Sequence, residues 1–213
     1  MLSLADLRKE YSLGALDEGS VAKHPLVQFE KWFQEAVHAE LPEPSAMHLC
    51  TVSEKGLPSA RIVLLKGIES GCFIFYTNHQ SRKGAQLDTH PVCAITFFWA
   101  ELERQVRIEG MVSRVDDDTA TAYFQSRPRD SQIGAWASPQ STVIASRNIL
   151  EERFKEIEKR FEGQSILPKP KQWGGYRVEP HSMEFWQGRV SRLHDRILYT
   201  RNENGWTISR LAP

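Results

Sequence analysis

Three apolar runs, AMHLCTVS (46–53), PSARIVLLK (58–66) and CFIFYT (72–77), follow one another with short polar stretches between them, Glu54-Lys55-Gly56 and Glu69-Ser70-Gly71 among these. Each run has the length of a strand, is rich in β-branched and aromatic residues, and is bounded by turn formers, which reads as hairpin-linked β-structure. Upstream, Pro25 to Glu40 repeats Leu26, Phe29, Phe33 and Val37 at helical spacing, and Leu41-Pro-Glu-Pro-Ser45 stops that helix. Downstream, Ser81 is placed to cap a short helix through Thr89, and Pro91 to Trp99 and Arg104 to Val115 read as two further strands. Asp116-Asp117-Asp118 sets carboxylates at the positive end of a helix running through Phe124. Ser126-Arg-Pro-Arg-Asp130 breaks it, Ser131 to Ala137 suits a short helix, and Ser146 to Phe161 is helical by periodicity. After a loop at Pro168 and Pro170, three short strands are expected, Gly175 to Glu179, His194 to Arg201 and Gly205 to Leu211, the last two joined by the turn Asn202-Glu-Asn-Gly205. Helices set among hairpin-linked strands, without the alternation of a doubly wound sheet, predict an α+β fold: an antiparallel, Greek-key-like β-barrel with peripheral helices. Residues 1–23 are polar and expected to be a mobile arm, leaving 24–213 as one domain.

Bulk composition removes several function classes. Of 213 residues, 40% are hydrophobic and 25% charged, the balance of a globular chain. Lys+Arg and Asp+Glu stand at 27 each, which argues against general nucleic-acid binding. No run of about 18 apolar residues suggests a membrane span, and Met1 to Tyr11 lacks a signal-peptide core, so the expectation is cytoplasmic. The cysteines, Cys50, Cys72 and Cys93, sit in strand-like contexts as small hydrophobes, and no CxxC, HxxxH or HExxH spacing points to a metal.

The chemistry concentrates in a few places. EFWQGRVSRLHDR (184–196) packs an indole, guanidiniums and an imidazole together. Read as extended from Arg192 to Arg196, it turns Arg192, His194 and Arg196 to one face and Leu193 into the core, a surface suited to an anionic aromatic ligand. Tyr76-Thr77-Asn78-His79-Gln80-Ser81-Arg82-Lys83 brings hydroxyls and two cations to a helix start, where a phosphate is stabilised and cations alone are not. Arg61 to Lys66 is a strand with a cation at each end, and Gln105 shares a strand face with Arg107 and Glu109. Tyr123, Arg127 and Ser131 surround a helix break and offer a second phosphate site, with Gln140-Ser141 in a following polar loop. A capped helix, a solvated sheet face and a surface turn are the plain structural alternatives at these places.

The segments RIVLLK (61–66), FYTN and SRK (75–83), LERQVRIEG (102–110), YFQSRPRDSQIGAW (123–136) and EFWQGRVSRLHDR (184–196), with Trp206 and Arg210-Leu-Ala-Pro213, resemble the pyridoxine/pyridoxamine 5′-phosphate oxidase family. The resemblance implies a split β-barrel binding FMN at a homodimer interface. It implies oxidation of pyridoxine 5′-phosphate and pyridoxamine 5′-phosphate to pyridoxal 5′-phosphate, with O2 reduced to H2O2. It implies FMN contacts at Arg61, Ile62, Val63, Leu64, Leu65, Lys66, Tyr76, Thr77, Arg82, Lys83, Gln105, Gln140, Ser141, Trp186 and Arg196. Substrate contacts fall on Lys66, Tyr123, Arg127, Ser131, Arg192 and His194, the last two as the catalytic pair. Arg8 and Tyr11 match an arm segment that can cover the substrate, and Glu43 falls where an acid is expected. Two other readings stay open on the residues alone: another split-barrel flavin oxidoreductase, and a non-catalytic FMN- or pyridoxal-phosphate-binding protein.

Overall fold

The computed structural model describes residues 10–213. Five helices, α1 (Pro25–His38), α2 (Arg82–Thr89), α3 (Asp117–Ser126), α4 (Arg129–Ala137) and α5 (Arg147–Arg160), are set among nine strands. These are β1 (Ala46–Val52), β2 (Pro58–Leu64), β3 (Gly67–Glu69), β4 (Cys72–Asn78), β5 (Val92–Trp99), β6 (Arg104–Arg114), β7 (Trp173–Gln187), β8 (Asp195–Asn202) and β9 (Gly205–Leu211). The strands form one antiparallel sheet in the order β2-β1-β5-β6-β7-β4-β3, with the β8–β9 hairpin added to β7.

The amphipathic face of α1 explains why the sheet curls. Phe29 meets Phe73 on β4 and Phe97 on β5, both at 5.0 Å between ring centroids. Those strands lie three places apart, roughly 14 Å in a flat sheet, so both reach one ring only if the sheet wraps round the helix. The same curl brings β2 round to β4, giving the expected antiparallel barrel. Phe29 is buried, and truncating such a side chain typically costs about 3–5 kcal/mol. A second, smaller core of Phe124, Ile133, Phe161, Leu167 and Trp173 fastens α3, α4 and α5 over the start of β7.

Strand β7 is where the barrel splits. Its first half pairs with β4 and its second half with β8, while β6 follows its other edge from Tyr176 to Gln187. This corrects the expectation of a short strand ending at Glu179: β7 is 15 residues long. It passes Pro180 because the register against β6 slips there, between Glu109 and Gly110, and a bulge accommodates a residue without an N–H. Gly110 opposite is required, since a Cβ on it would lie 2.4 Å from the Glu179 carbonyl oxygen.

The extended reading of Arg192 to Arg196 is also corrected. Ser191 and Arg192 adopt φ of 56° and 61°, so the chain turns through Val190–Arg192 before β8 begins at Asp195. Leu193, expected in the core, is 70% exposed. The turn is closed by the Arg189 N–H, which donates to His194 Nδ1 at 3.1 Å. Residues 10–23, expected within a mobile arm, are fastened to the barrel: Leu16 is buried, and the Ser12 and Leu13 N–H groups donate to Glu103 Oε2 at 2.7 and 3.0 Å. Arg8 lies outside the described residues.

Candidate active site

At the start of α2 the sequence builds an anion cradle. Ser81 caps the helix by accepting from the Gly84 N–H, and β2 delivers Arg61 to the same region. Lys83 is only 8% exposed, yet its ammonium donates solely to hydroxyls, Thr77 Oγ1 at 3.2 Å and Ser81 Oγ at 3.5 Å. Arg61 donates to Thr51 Oγ1 at 2.6 Å and Ser59 Oγ at 2.7 Å. Burial and then the Arg61 charge pull the Lys83 ammonium below the usual lysine range; burial and then Arg82 do the same to Arg61. Three mutually repelling cations, none balanced by a carboxylate among the described residues, are what a bound dianion would stabilise. Gly84 lets the helix start approach: a Cβ there would fall 2.0 Å from the His79 carbonyl oxygen.

The cradle opens into a pocket of about 390 Å³ lined by Tyr76, Thr77, Arg127, Ser131, Gln140 and Trp173 among others. Thr77 joins the two, accepting from Lys83 and donating to Gln140 Oε1 at 3.1 Å. Tyr123 stacks on Tyr76 at 3.9 Å, and Tyr76 on Trp173 at 5.4 Å, an aromatic wall. The Arg127 guanidinium lies 4.9 Å over the Trp173 ring with its Nη1 buried and without a hydrogen-bond partner. Burial lowers its pKa against the opposing pull of Tyr123. A buried, unpaired guanidinium donor beside Ser131 is the second place where an anion fits.

A third group forms at the far end of β7. Gln105 on β6 pairs with Trp186 on β7, and Trp186 with Arg196 on β8, so the three stand in one cross-strand row. Trp186 packs against His194 at 4.6 Å and Tyr11 at 5.6 Å. Gly188 makes room for the arm, since a Cβ on it would lie 2.7 Å from Tyr11 Cβ. Arg196 is not a free cation: buried Glu184 accepts from its Nε at 2.8 Å and its Nη2 at 3.0 Å, and Nη1 donates to Ala212 O. Glu184 also holds Arg107 at 3.2 Å. Arg196 is thus a positioned donor whose charge is already matched.

The residues singled out in the sequence therefore fall into two groups on this chain. Arg61, Tyr76, Thr77, Arg82, Lys83, Tyr123, Arg127, Ser131 and Gln140 gather around the start of β7; Tyr11, Gln105, Trp186, Arg192, His194 and Arg196 gather around its end. Trp173 and Trp186 are 13 residues apart on that strand, about 40 Å if straight. Lys66 lines a different cavity from Arg127 and Ser131, one of about 360 Å³ shared with Phe29, Phe33 and Ile68. Of the rest of the β2 segment, Ile62 is exposed on the outer sheet face and Leu65 is buried, while Val63 and Leu64 are half-buried. Ser141 is exposed at φ 70° beside Gln140. Glu43 also has a positive φ, 45°, in the turn before β1. Glu184, Glu103, Asp195 and Gln86 were missed as functional supports. None of the four carried a signal in the sequence, because each acts through a contact made on another element of the fold.

Comparison with known proteins gives a consistent result. A family model described as pyridoxamine 5′-phosphate oxidase matches residues 33–161, and one described as the pyridoxine 5′-phosphate oxidase C-terminal dimerisation region matches residues 173–213. The chain is 56% identical over 211 residues to the pyridoxine/pyridoxamine 5′-phosphate oxidase of Acaryochloris marina, covering 99% of this chain and 96% of that one. The protein of the same name from Burkholderia ambifaria is 56% identical over 216 residues, with both chains fully covered. Among solved structures, PhzG from Burkholderia lata, in complex with tetrahydrophenazine-1-carboxylic acid, is 29% identical with a TM-score of 0.88, covering 95% of this chain and 100% of that one. A pyridoxamine 5′-phosphate oxidase-related, FMN-binding protein from Nostoc punctiforme shares the fold at 20% identity and a TM-score of 0.70, covering 91% of this chain and 99% of that one.

Proposed function

The chain belongs to the pyridoxamine 5′-phosphate oxidase family, and from that premise we propose that it oxidises pyridoxine 5′-phosphate and pyridoxamine 5′-phosphate to pyridoxal 5′-phosphate with FMN as cofactor, reducing O2 to H2O2. The observation that carries the cofactor assignment is buried Lys83, held by hydroxyls beside Arg61 and Arg82 with no acid among the described residues to balance it. This donor set fits the phosphate of FMN. When bound, FMN supplies the hydride acceptor and the route of electrons to oxygen.

The chain's own residues do the rest. Lys83, Arg82 and Arg61 bind the flavin phosphate, and Thr77 and Gln140 continue the polar contacts. Arg127, Tyr123 and Ser131 take the vitamin phosphate. Gln105 and Trp186 meet the flavin ring, with Arg196 fixed by Glu184 as a donor. Arg192 and His194 orient the pyridine ring, and Tyr11 covers it. Because the two half-sites lie at opposite ends of β7, a complete site takes one from each of two copies, which supports a homodimer with FMN between them. The outer face of β1, β2, β5 and β6 carries exposed Ile62, Val92, Phe98 and Met111, an apolar surface suited to a second copy. The three cysteines are free thiols, which supports a reducing, cytoplasmic setting; among the described residues no helix is long and apolar enough to cross a membrane.

The test is a steady-state assay of FMN-loaded protein in air with each B6 phosphate. One pyridoxal 5′-phosphate and one H2O2 per O2 consumed is expected, with turnover reduced by Arg192→Ala and His194→Ala. No product from either substrate, or full turnover and unchanged affinity in both variants, contradicts the assignment.

A further inference from the structure

We infer that His194 serves as a fixed hydrogen-bond donor through Nε2, and that the backbone N–H of Arg189 assigns it that role. The inference deepens the proposed function, since it rests on His194 facing the substrate. The Arg189 N–H donates to Nδ1 at 3.1 Å. A backbone amide cannot accept a proton in return, so Nδ1 is bare and the neutral ring carries its single proton on Nε2. Nε2 then offers a donor to the ligand and no lone pair. His194 holds an acceptor atom of the substrate, an anionic oxygen best of all, and does not remove a proton from it.

Several contacts keep the ring in this state. Arg189 is anchored on both sides, with Nη1 donating to Gly14 O at 2.8 Å and Nε lying 3.5 Å from Asp195 Oδ2. Asp195 is itself fixed by the Leu16 N–H at 3.0 Å and by Arg210 at 2.8 Å. The ring packs against Trp186 at 4.6 Å and against the edge of Tyr11 at 5.8 Å. Rotating it to present the other nitrogen breaks the Arg189 bond and takes the acceptor away from a part-buried amide. Arg189 is a positioning residue: it touches His194, the arm and Asp195, and acts on the substrate only through the imidazole. Its side chain alone gave no hint of this in the sequence, because the working group is its amide.

The direct test is a two-bond proton–nitrogen spectrum of the FMN-loaded protein carrying nitrogen-15 histidine, with the His194 signals assigned by their loss in His194→Gln. A ring protonated on Nε2 alone is expected; a proton on Nδ1, or on both nitrogens, overturns the inference. A pair of variants gives a second readout. Glutamine can place an amide N–H where Nε2 was, whereas asparagine reproduces only the Nδ1 side. His194→Gln is expected to keep turnover within about tenfold of the parent and His194→Asn to lose about a hundredfold, FMN content being unchanged in both. Turnover of the asparagine variant equal to or above that of the glutamine variant overturns the inference. The spectrum needs no substrate, so a parent protein that oxidises neither B6 phosphate defeats the functional reading separately, while the tautomer is still decided.

Discussion

Lys83 shows how much one buried side chain can carry. Its ammonium sits among hydroxyls and beside Arg61 with no carboxylate partner among the described residues, a repulsion that the proposed flavin phosphate would relieve. Lys83→Met should weaken FMN binding by about tenfold to a hundredfold, the worth of one charge-assisted contact. Flavin fluorescence quenching measures this, and the variant should be no less thermally stable than its parent without flavin. Cys93 illustrates the opposite case, a buried group with no function to perform. Burial pushes its thiol up to about 12. A thiol with a raised pKa stays protonated until the pH approaches that value, so between pH 7 and 9 it presents almost no thiolate. Alkylation followed by peptide mass mapping should find half-buried Cys50 modified and Cys93 intact in the folded protein.

At the scale of elements, the segment 10–18 is tied down by charged groups far away in sequence. Glu103 sits in a left-handed turn with its carboxylate accepting two arm amides, and Arg210 near the C-terminus holds Glu18. Glu18 is lowered to about 2 by Arg210, so this tie persists across the physiological range and weakens only as the pH falls toward that value. Glu103→Ala should release the segment. Hydrogen exchange at Ser12 and Leu13 should rise at least tenfold while exchange in β4 to β7 is unchanged; equal protection in parent and variant would count against the latch. Hairpins and amphipathic helices were legible because their signals are local: apolar periodicity for α1, a serine cap for α2, an acidic start for α3. Strand β7 was cut short in the reading because Pro180 is a stop signal on its own, and only its neighbour β6 shows that a bulge absorbs it. Arg192 was read as extended because an arginine does not advertise the positive φ it adopts, next to that of Ser191. The gathering of basic and hydroxyl residues at the α2 start was visible in the sequence, whereas Glu184, hidden in a strand, becomes meaningful only when β8 lays Arg196 beside it.

At the scale of the whole molecule, the account rests on two half-sites at opposite ends of β7 being completed by a second copy. Co-expressed chains carrying Arg127→Ala and Arg192→Ala, each with its own tag and purified as the mixed dimer, should regain about half the parental activity, because one of the two sites then has no substitution. Activity no greater than that of the two parent variants would place both residues in the same copy's site. The claim from which all of this follows is that a flavin and a B6 phosphate meet in that site and exchange a hydride. Anaerobic addition of pyridoxine 5′-phosphate to the FMN-loaded protein tests it most directly. The flavin absorbance should bleach with formation of one pyridoxal 5′-phosphate per flavin, and return when oxygen is admitted with release of H2O2; a flavin that stays yellow with excess substrate contradicts the account.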